Sequence, residues 1–382
     1  MRADRVRMES NPPPYRIFVP RWMDHTNTNA QNSNAKAMLS RFSDPRARWI
    51  AIRGEDAAEQ IQNNPAVETH FISTSRLWPY QLALKYQLQF DAIFYPGPSW
   101  ADKAGFVSRR ITRRDVPVIA TLEGIIASSD DLPRLSKLVG HPVFAQPGAD
   151  AAVPRIRWMY ETSTHIIAIS PFLARIAKAL YGDRVSCLPL GIENRIFHDR
   201  GHREPERCRV IGCGTVKSSK KPQFFLRLAS RYPQAEFVWF GDGPIRQALI
   251  VEAKNAGINN LGFPGPLSPE ALAQEFRGSS FFVSPSQAEG VPKVTQEAAA
   301  CRLPIVLYGF YEAPTVIHRE NGLVAWSEQE LLEHVGVLIE DHETRLAMGR
   351  RGAEMARDWS WDNIAHRWED LLIRLVAQHS RA

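Results

Sequence analysis

Cysteine is scarce. There are four in 382 residues, at Cys187, Cys208, Cys213 and Cys301, and no two form a Cys-x-x-Cys pair. This argues against a disulfide framework or a zinc ribbon and fits reduced thiols in a cytosolic setting. Long apolar runs are absent too, and without about 18 such residues in a row no membrane span is expected. The first stretch, MRADRVRMESNPPPY, lacks the apolar middle of a signal peptide and reads as a loose tail over residues 1–14. No repeat or low-complexity tract is visible. Several chemical signatures are missing as well. There is no Gly-x4-Gly-Lys-Ser/Thr phosphate loop, no Asp-x-Asp to hold a divalent metal on a diphosphate, no histidine pair at zinc spacing and no Gly-x-Ser-x-Gly elbow. No metal site is therefore expected. Basic and aromatic residues do not interleave as they would along a nucleic-acid groove, so no nucleic-acid partner is expected.

What is present suits a two-domain globular chain. Hydrophobic residues make up 44%, enough for each half to bury a core. The formal charge of +6 suits an anionic partner, and surface solvation accounts for it equally well. In SRRITRRD the pairs Arg109/Arg113 and Arg110/Arg114 lie one helical turn apart. That basic face reads as a helix end complementing the dipole, with contact to an anionic membrane surface as the alternative.

Short apolar runs alternate with helical patterns. The runs RIFVP, RWIAI, DAIFYPG, PVIATLEG, HIIAIS and VSCLPLG occupy the first half. After the polar stretch HDRGHREPER the pattern restarts with CRVIGCG, AEFVWFGDG, SSFFVSPS, LPIVLYG and NGLVAW. Alternation of this kind predicts parallel sheets covered by helices on both faces. The predicted organisation is one α/β domain over 15–200, a second over 208–357, and a terminal helical segment over 358–382 whose Trp359, Trp361 and Trp368 read as packing residues. Ligands in such sheets bind beyond the carboxyl ends of the strands, and in tandem domains often in the cleft between them.

One join concentrates charge. SPSQAEGVPKVTQEAAACRLPIVL (284–307) sets Glu289 and Glu297 eight apart with Gly290, Pro292 and Lys293 between them. Pro292 suits the first turn of a helix, and Val294, Ala298 and Cys301 then share an apolar face. The loop thus delivers a helix N-terminus, which favours an anion. Lys293 there is unfavourable by roughly 0.3–1 kcal/mol unless an anion binds. A Lys293–Glu297 pair is the bland alternative, in the weaker order. GCGTVKSSKKP (212–222) carries Gly214, Thr215, Lys217, Lys220 and Lys221 after a strand, and FGDGP (240–244) makes a second glycine turn. Each reads equally as an ordinary solvated turn. His165 opens a strand and reads as structural.

From Val210 to Trp326 these segments resemble the retaining nucleotide-sugar glycosyltransferases of family 4, which have the GT-B fold of two tandem Rossmann-like domains. VPVIATLEG, HIIAISPFLARIA and PLGIENRIF fit as well, and the Glu-x7-Glu segment is the specific part. The resemblance implies a metal-independent hexosyltransferase that needs no cofactor and moves a sugar from a UDP- or GDP-type donor to an acceptor hydroxyl with retention, in polysaccharide or glycoconjugate synthesis. It implies that Glu289 takes donor-sugar hydroxyls. Backbone N–H groups of Gly290, Val291, Lys293 and Val294, around Pro292, would hold sugar and diphosphate, and Glu297 would take the ribose hydroxyls. Lys220 would bind diphosphate, and Gly262–Gly265 would meet the base. A carbohydrate or lipid-linked acceptor would enter from the first domain, in a cytoplasmic protein with peripheral membrane contact. Three positions depart from the family. Thr215 stands where an arginine is common, so Lys217 or Lys293 is expected to supply that charge. Glu123 stands where a histidine is common and becomes an alternative participant. NTNAQN (27–32) replaces paired glycines, with Asn29 and Gln31 as N–H donors. An epimerase on the same fold and a non-catalytic sugar-nucleotide binder are the rival readings.

Overall fold

The structure is a computed structural model that describes residues 14–22, 30–53, 61, 63–71, 90–97, 115–145 and 149–380. The basic run Arg109–Arg114, Asn29 of the first loop and residues 1–13 lie outside the described residues. The chain divides into two compact units. One comprises residues 1–120 with 163–165 and 365–382, the other residues 121–162 with 166–364.

Among the described residues, seven strands form the first sheet: β1 (Tyr15–Trp22), β2 (Ala47–Arg53), β3 (Val67–Phe71), β4 (Ala92–Tyr95), β5 (Val118–Leu122), β6 (His165–Ala168) and β7 (Val185–Cys187). Their order is β3-β2-β1-β4-β5-β6-β7. The second sheet holds β8 (Arg209–Cys213), β9 (Glu236–Phe240), β10 (Leu261–Gly265), β11 (Phe281–Ser284), β12 (Ile305–Tyr308) and β13 (Gly322–Ala325), in the order β10-β9-β8-β11-β12-β13. Pairing in both is parallel. Parallel strands lie between helices, so their sequences must be apolar on both faces. AIFY in β4, VIATL in β5, FFVS in β11 and IVLY in β12 are accordingly buried at every position.

The connecting helices are α1 (Ala30–Leu39), α2 (Leu132–Val139), α3 (Ala149–Thr162), α4 (Pro171–Tyr181), α5 (Phe224–Arg231), α6 (Arg246–Asn255), α7 (Pro269–Arg277) and α8 (Lys293–Ala300), followed by α9 (Glu328–Glu340), α10 (His342–Ala356) and α11 (Trp361–His379). Pro171 opens α4 behind Ser170, whose hydroxyl accepts from Leu173 N–H at 3.2 Å. Two strands escape the run-by-run reading, β3 (VETHF) and β10 (LGFPG). Both are edge strands. An edge tolerates charge, and it tolerates the missing N–H of Pro264, so the apolar signature weakens there.

Within the first unit, the far half of α11 is locked by one buried carboxylate. Glu369 is 3% exposed and accepts from Ser43 N–H at 3.0 Å, Asp44 N–H at 3.0 Å and Trp49 Nε1 at 3.1 Å. Beside it Trp368, fully buried, tilts against Phe94 at 6.2 Å between ring centroids. Removing a carboxylate that serves three sheltered donors leaves each unsatisfied, at about 1–3 kcal/mol apiece before relaxation. We expect Glu369→Ala to lower stability by about 3 kcal/mol, read as a fall in the urea midpoint, and Glu369→Gln, which keeps one acceptor, to lose less.

Candidate functional site

The second sheet changes winding direction between β8 and β11, which pair directly through Phe281 with Val210 and Phe282 with Ile211. The loops that follow these strands diverge and open a crevice at the carboxyl edge. Gly214, Lys217 and Lys220 lie in the loop after the first of these strands, Glu289 in the loop after the second, and Glu297 in the helix that follows.

After β8 the chain passes Gly214, exposed Thr215 and half-buried Lys217, then makes a 3-10 turn over Ser218–Lys220. The turn aims Lys220 across the crevice, where its Nζ donates to Glu289 Oε1 at 2.5 Å. Glu289 is 8% exposed, so this carboxylate is held by a lysine from the opposite loop rather than solvated. Ser286, nearly fully buried, supports the same join by donating to Ser219 O at 3.4 Å.

Close backbone packing shapes the rest of the edge. Gly214 N–H donates to Phe240 O and Gly241 N–H to Gly265 O, each at 2.9 Å, so the ends of β8, β9 and β10 are stitched together. A Cβ on Gly241, whose φ is +136°, would lie 2.1 Å from Gly214 O. Gly290 meets a different wall: a Cβ there would stand 1.9 Å from Glu123 O. The β11 loop therefore lies against the backbone of Glu123 and Gly124, and these two segments of the unit share one surface. That contact places Glu123, half-buried, at the same end of the site as Glu289.

Helix α8 begins one residue later than its sequence suggests. Pro292 is the N-cap, with φ −64° and ψ 108°, and Lys293 is the first helical residue. Thr295 enforces this start, because its N–H at 3.0 Å and its hydroxyl at 2.7 Å both donate to Pro292 O. Val291, Lys293 and Val294 are half-buried at the helix mouth. One turn on, burial pushes the Glu297 carboxyl above the ordinary range, with Lys293 acting against that shift. Burial pushes the Cys213 thiol up to about 12, Glu297 adding to the effect and Lys220 opposing it. Lys220, Lys293, Glu297 and the end of β8 thus form one electrostatic neighbourhood. Gly265 closes the far side with φ +113°, next to Phe263, whose carbonyl accepts from Arg246 Nε at 3.0 Å and Nη2 at 2.7 Å.

Some neighbours of these residues were not singled out from the sequence. Gln287 lies in the β11 loop and accepts from Lys221. Tyr311, on the 3-10 turn after β12, is fully buried, and burial together with Glu289 raises its phenol pKa while Ser284 opposes. Among the described residues no group of three or more His, Cys, Asp or Glu side chains could hold a metal ion. His165 is partly buried, and burial lowers its pKa.

Comparison with known proteins gives this crevice a context. Residues 196–355 match the model of the family described as glycosyl transferases group 1. These residues belong to the group 1 glycosyl transferases. The domain so defined contains β8 to β13 and nearly every rim residue named above; Glu123 precedes it. The alpha-galactosylglucosyldiacylglycerol synthase of Streptococcus pneumoniae is 25% identical over 239 residues, covering 57% of this chain and 63% of that protein. The sulfoquinovosyl transferase SQD2 of Arabidopsis thaliana is 26% identical over 41% of this chain and 32% of its own length. The matches thus span less than two thirds of these curated relatives. Among solved structures, sucrose-phosphate synthase from Thermosynechococcus elongatus superposes with a TM-score of 0.75 at 15% identity, covering 95% of this chain and all of that one. Anabaena HepE in complex with UDP and glucose gives 0.69 at 17% identity, covering 94% and 99%. The fold is GT-B.

The Gly290 contact leads to a direct prediction for this glycosyl transferase domain. Backbone faces backbone there, so no side-chain rotation relieves a clash. We expect Gly290→Ala to destabilise by about 2–3 kcal/mol, at the upper end of overpacking costs, measured by chemical denaturation.

Proposed function

We propose that the chain is a retaining, metal-independent glycosyltransferase that moves a sugar from a nucleotide-diphosphate sugar to an acceptor hydroxyl. The observation that carries this reading is the Lys220–Glu289 pair at the β8/β11 reversal, with Glu297 on the helix that follows. A carboxylate is an acceptor-only group with room for several hydroxyl donors. Glu289 suits the hydroxyls of the transferred sugar, and Glu297 suits the two ribose hydroxyls. The N–H groups at Gly290 to Val294 and the positive end of α8 suit the diphosphate. The HepE complex, which holds UDP and glucose in the same fold, supports this assignment by analogy.

The chemical difficulty is charge separation. As the C1–O bond breaks, the sugar ring gains positive charge and the diphosphate gains negative charge. Lys220, Lys293 and the helix N–H groups stabilise the leaving group as this charge grows. The ion pair with Glu289 keeps the Lys220 ammonium in the crevice before reaction, so little reorganisation is needed. Among the described residues no side chain beside Glu289 is an evident nucleophile, so the acceptor oxygen bonds to C1 from the face that the diphosphate leaves as the C1–O bond breaks, its proton passing to the departing diphosphate oxygen, which preserves configuration. Glu123, whose backbone abuts Gly290, is the alternative participant. The acceptor class is carbohydrate or lipid-linked. Among the described residues no helix is long and apolar enough to cross a membrane; a cytoplasmic location with peripheral membrane contact completes the reading.

A thermal-shift screen against UDP-, GDP- and ADP-sugars tests the donor site. The right nucleotide at 100 times its dissociation constant adds about 2.7 kcal/mol of stability. Silence from all three would sink the donor-site reading, and turnover that yields epimerised donor without transfer would replace it with an epimerase.

Glu297 offers a second test with a definite sign. Its folded pKa lies above its unfolded value, so the ionised carboxylate opposes folding at neutral pH, and this penalty vanishes as pH falls below the unfolded value. We expect Glu297→Gln to melt at the same or a higher temperature at pH 7, with the difference fading towards about pH 4, the ordinary glutamate range. Its affinity for the nucleotide should fall about tenfold, the scale of one charge-assisted hydrogen bond. Lower stability with unchanged affinity would contradict the ribose role.

A further inference from the structure

Lys221 follows Lys220 directly and has an entirely different environment. Its backbone is left-handed, with φ +53° and ψ 43°, at the end of the 3-10 turn after β8. Lysine has no local hydrogen bond to favour that conformation, and a side chain with a Cβ is strained in it. Strain of this kind persists where surrounding structure imposes it, and it concentrates at functional positions.

The side chain reaches away from Lys220. Its Nζ donates to Gln287 Oε1 at 2.8 Å, in the β11 loop two residues before Glu289, and lies 6.0 Å from the centroid of the Tyr308 ring at the end of β12. Lys221 is half-buried, and burial lowers its pKa, which expresses the loss of hydration around the ammonium. Both contacts are with uncharged groups. Among the described residues no carboxylate forms an ion pair with Lys221, whereas Lys220 spends its charge on Glu289. A partly desolvated ammonium held by an amide oxygen and a ring face is an unbalanced charge, and such a group gains most from an anion.

We propose that Lys221 is a donor-binding residue that receives anionic oxygens of the nucleotide sugar, and that it supplies the cation that exposed Thr215 does not. The inference rests on the donor-site reading above. The oxygens come from the diphosphate or from an acid group on the transferred sugar, and the same experiment separates these sources. The turn and the amide–ring clamp hold the ammonium beside the β11 loop, so the ligand meets an oriented cation at small entropic cost.

The test uses the full chain and Lys221→Gly, with binding of nucleoside monophosphate, nucleoside diphosphate, a neutral sugar nucleotide and its uronic-acid counterpart measured by calorimetry, all on the base selected in the thermal-shift screen. Glycine adopts the left-handed backbone freely. The variant should therefore melt at a higher temperature than the parent while binding nucleoside diphosphate at least tenfold more weakly and the monophosphate within twofold. That pattern assigns the diphosphate. A tenfold loss confined to the uronic-acid donor assigns the sugar acid and equally supports the proposal. Affinities within twofold for every ligand would overturn it, because a merely structural lysine predicts that result. If the parent chain binds none of the four, the donor-site reading itself fails and takes this inference with it.

Discussion

A doubly wound parallel sheet must reverse its winding once, and here the reversal falls between β8 and β11. The two strands are hydrogen-bonded neighbours, yet the chain leaves them for opposite sides. No crossover helix can cover the gap above that point, so polar groups at the strand ends stay available to a ligand. The site depends on this reversal. Lys220 and Glu289 are 69 residues apart in sequence and form an ion pair only because their loops flank the same gap.

The reversal alone would leave a wide, formless notch. Backbone packing narrows it. Gly241 against Gly214 and Gly290 against Glu123 bring main chains closer than any side chain would permit. Close approach removes the freedom of the loop that carries Glu289, while the Gly214 and Gly241 N–H groups are taken up by Phe240 O and Gly265 O. The glycines at these two contacts therefore act through what they lack. They belong to the same physical device as α8, whose first turn adds a dipole to the donors that the loops align.

Much of this was legible in the sequence, and the pattern of failure has physical causes. Core strands such as FFVS and IVLY announce themselves because both faces are buried, while VETHF and LGFPG do not, because an edge strand needs neither full burial nor every N–H. The segment from Glu289 to Glu297 could be read as a strand-to-helix join from Pro292 and the apolar spacing after it. What spacing could not convey is which loop faces which. That Lys220 rather than Lys293 holds Glu289, that Glu123 abuts Gly290, and that Gln287 takes Lys221 are tertiary facts with no local signature. Pro292 shows a subtler limit. Its position near the helix start was readable, but the choice of cap over first turn was made by Thr295, whose two hydrogen bonds to Pro292 O set the boundary.

The charges on the rim then acquire a division of labour. Carboxylates and ammonium groups sit close enough to perturb one another, as the raised Glu297 and the coupling of Cys213 to both Glu297 and Lys220 make plain. A site of only cations would bind diphosphate tightly and release it slowly. A site of only carboxylates would repel it. Alternating them lets hydroxyl-rich and phosphate-rich parts of one ligand lie side by side, each against groups of suitable polarity, while the protein's own ion pair keeps the empty crevice from carrying several bare charges. The neutral partners of Lys221 are informative in that setting: its half-buried ammonium rests on an amide oxygen and a ring face with no ion pair to an acid among the described residues, and the natural counter-charge is the ligand's.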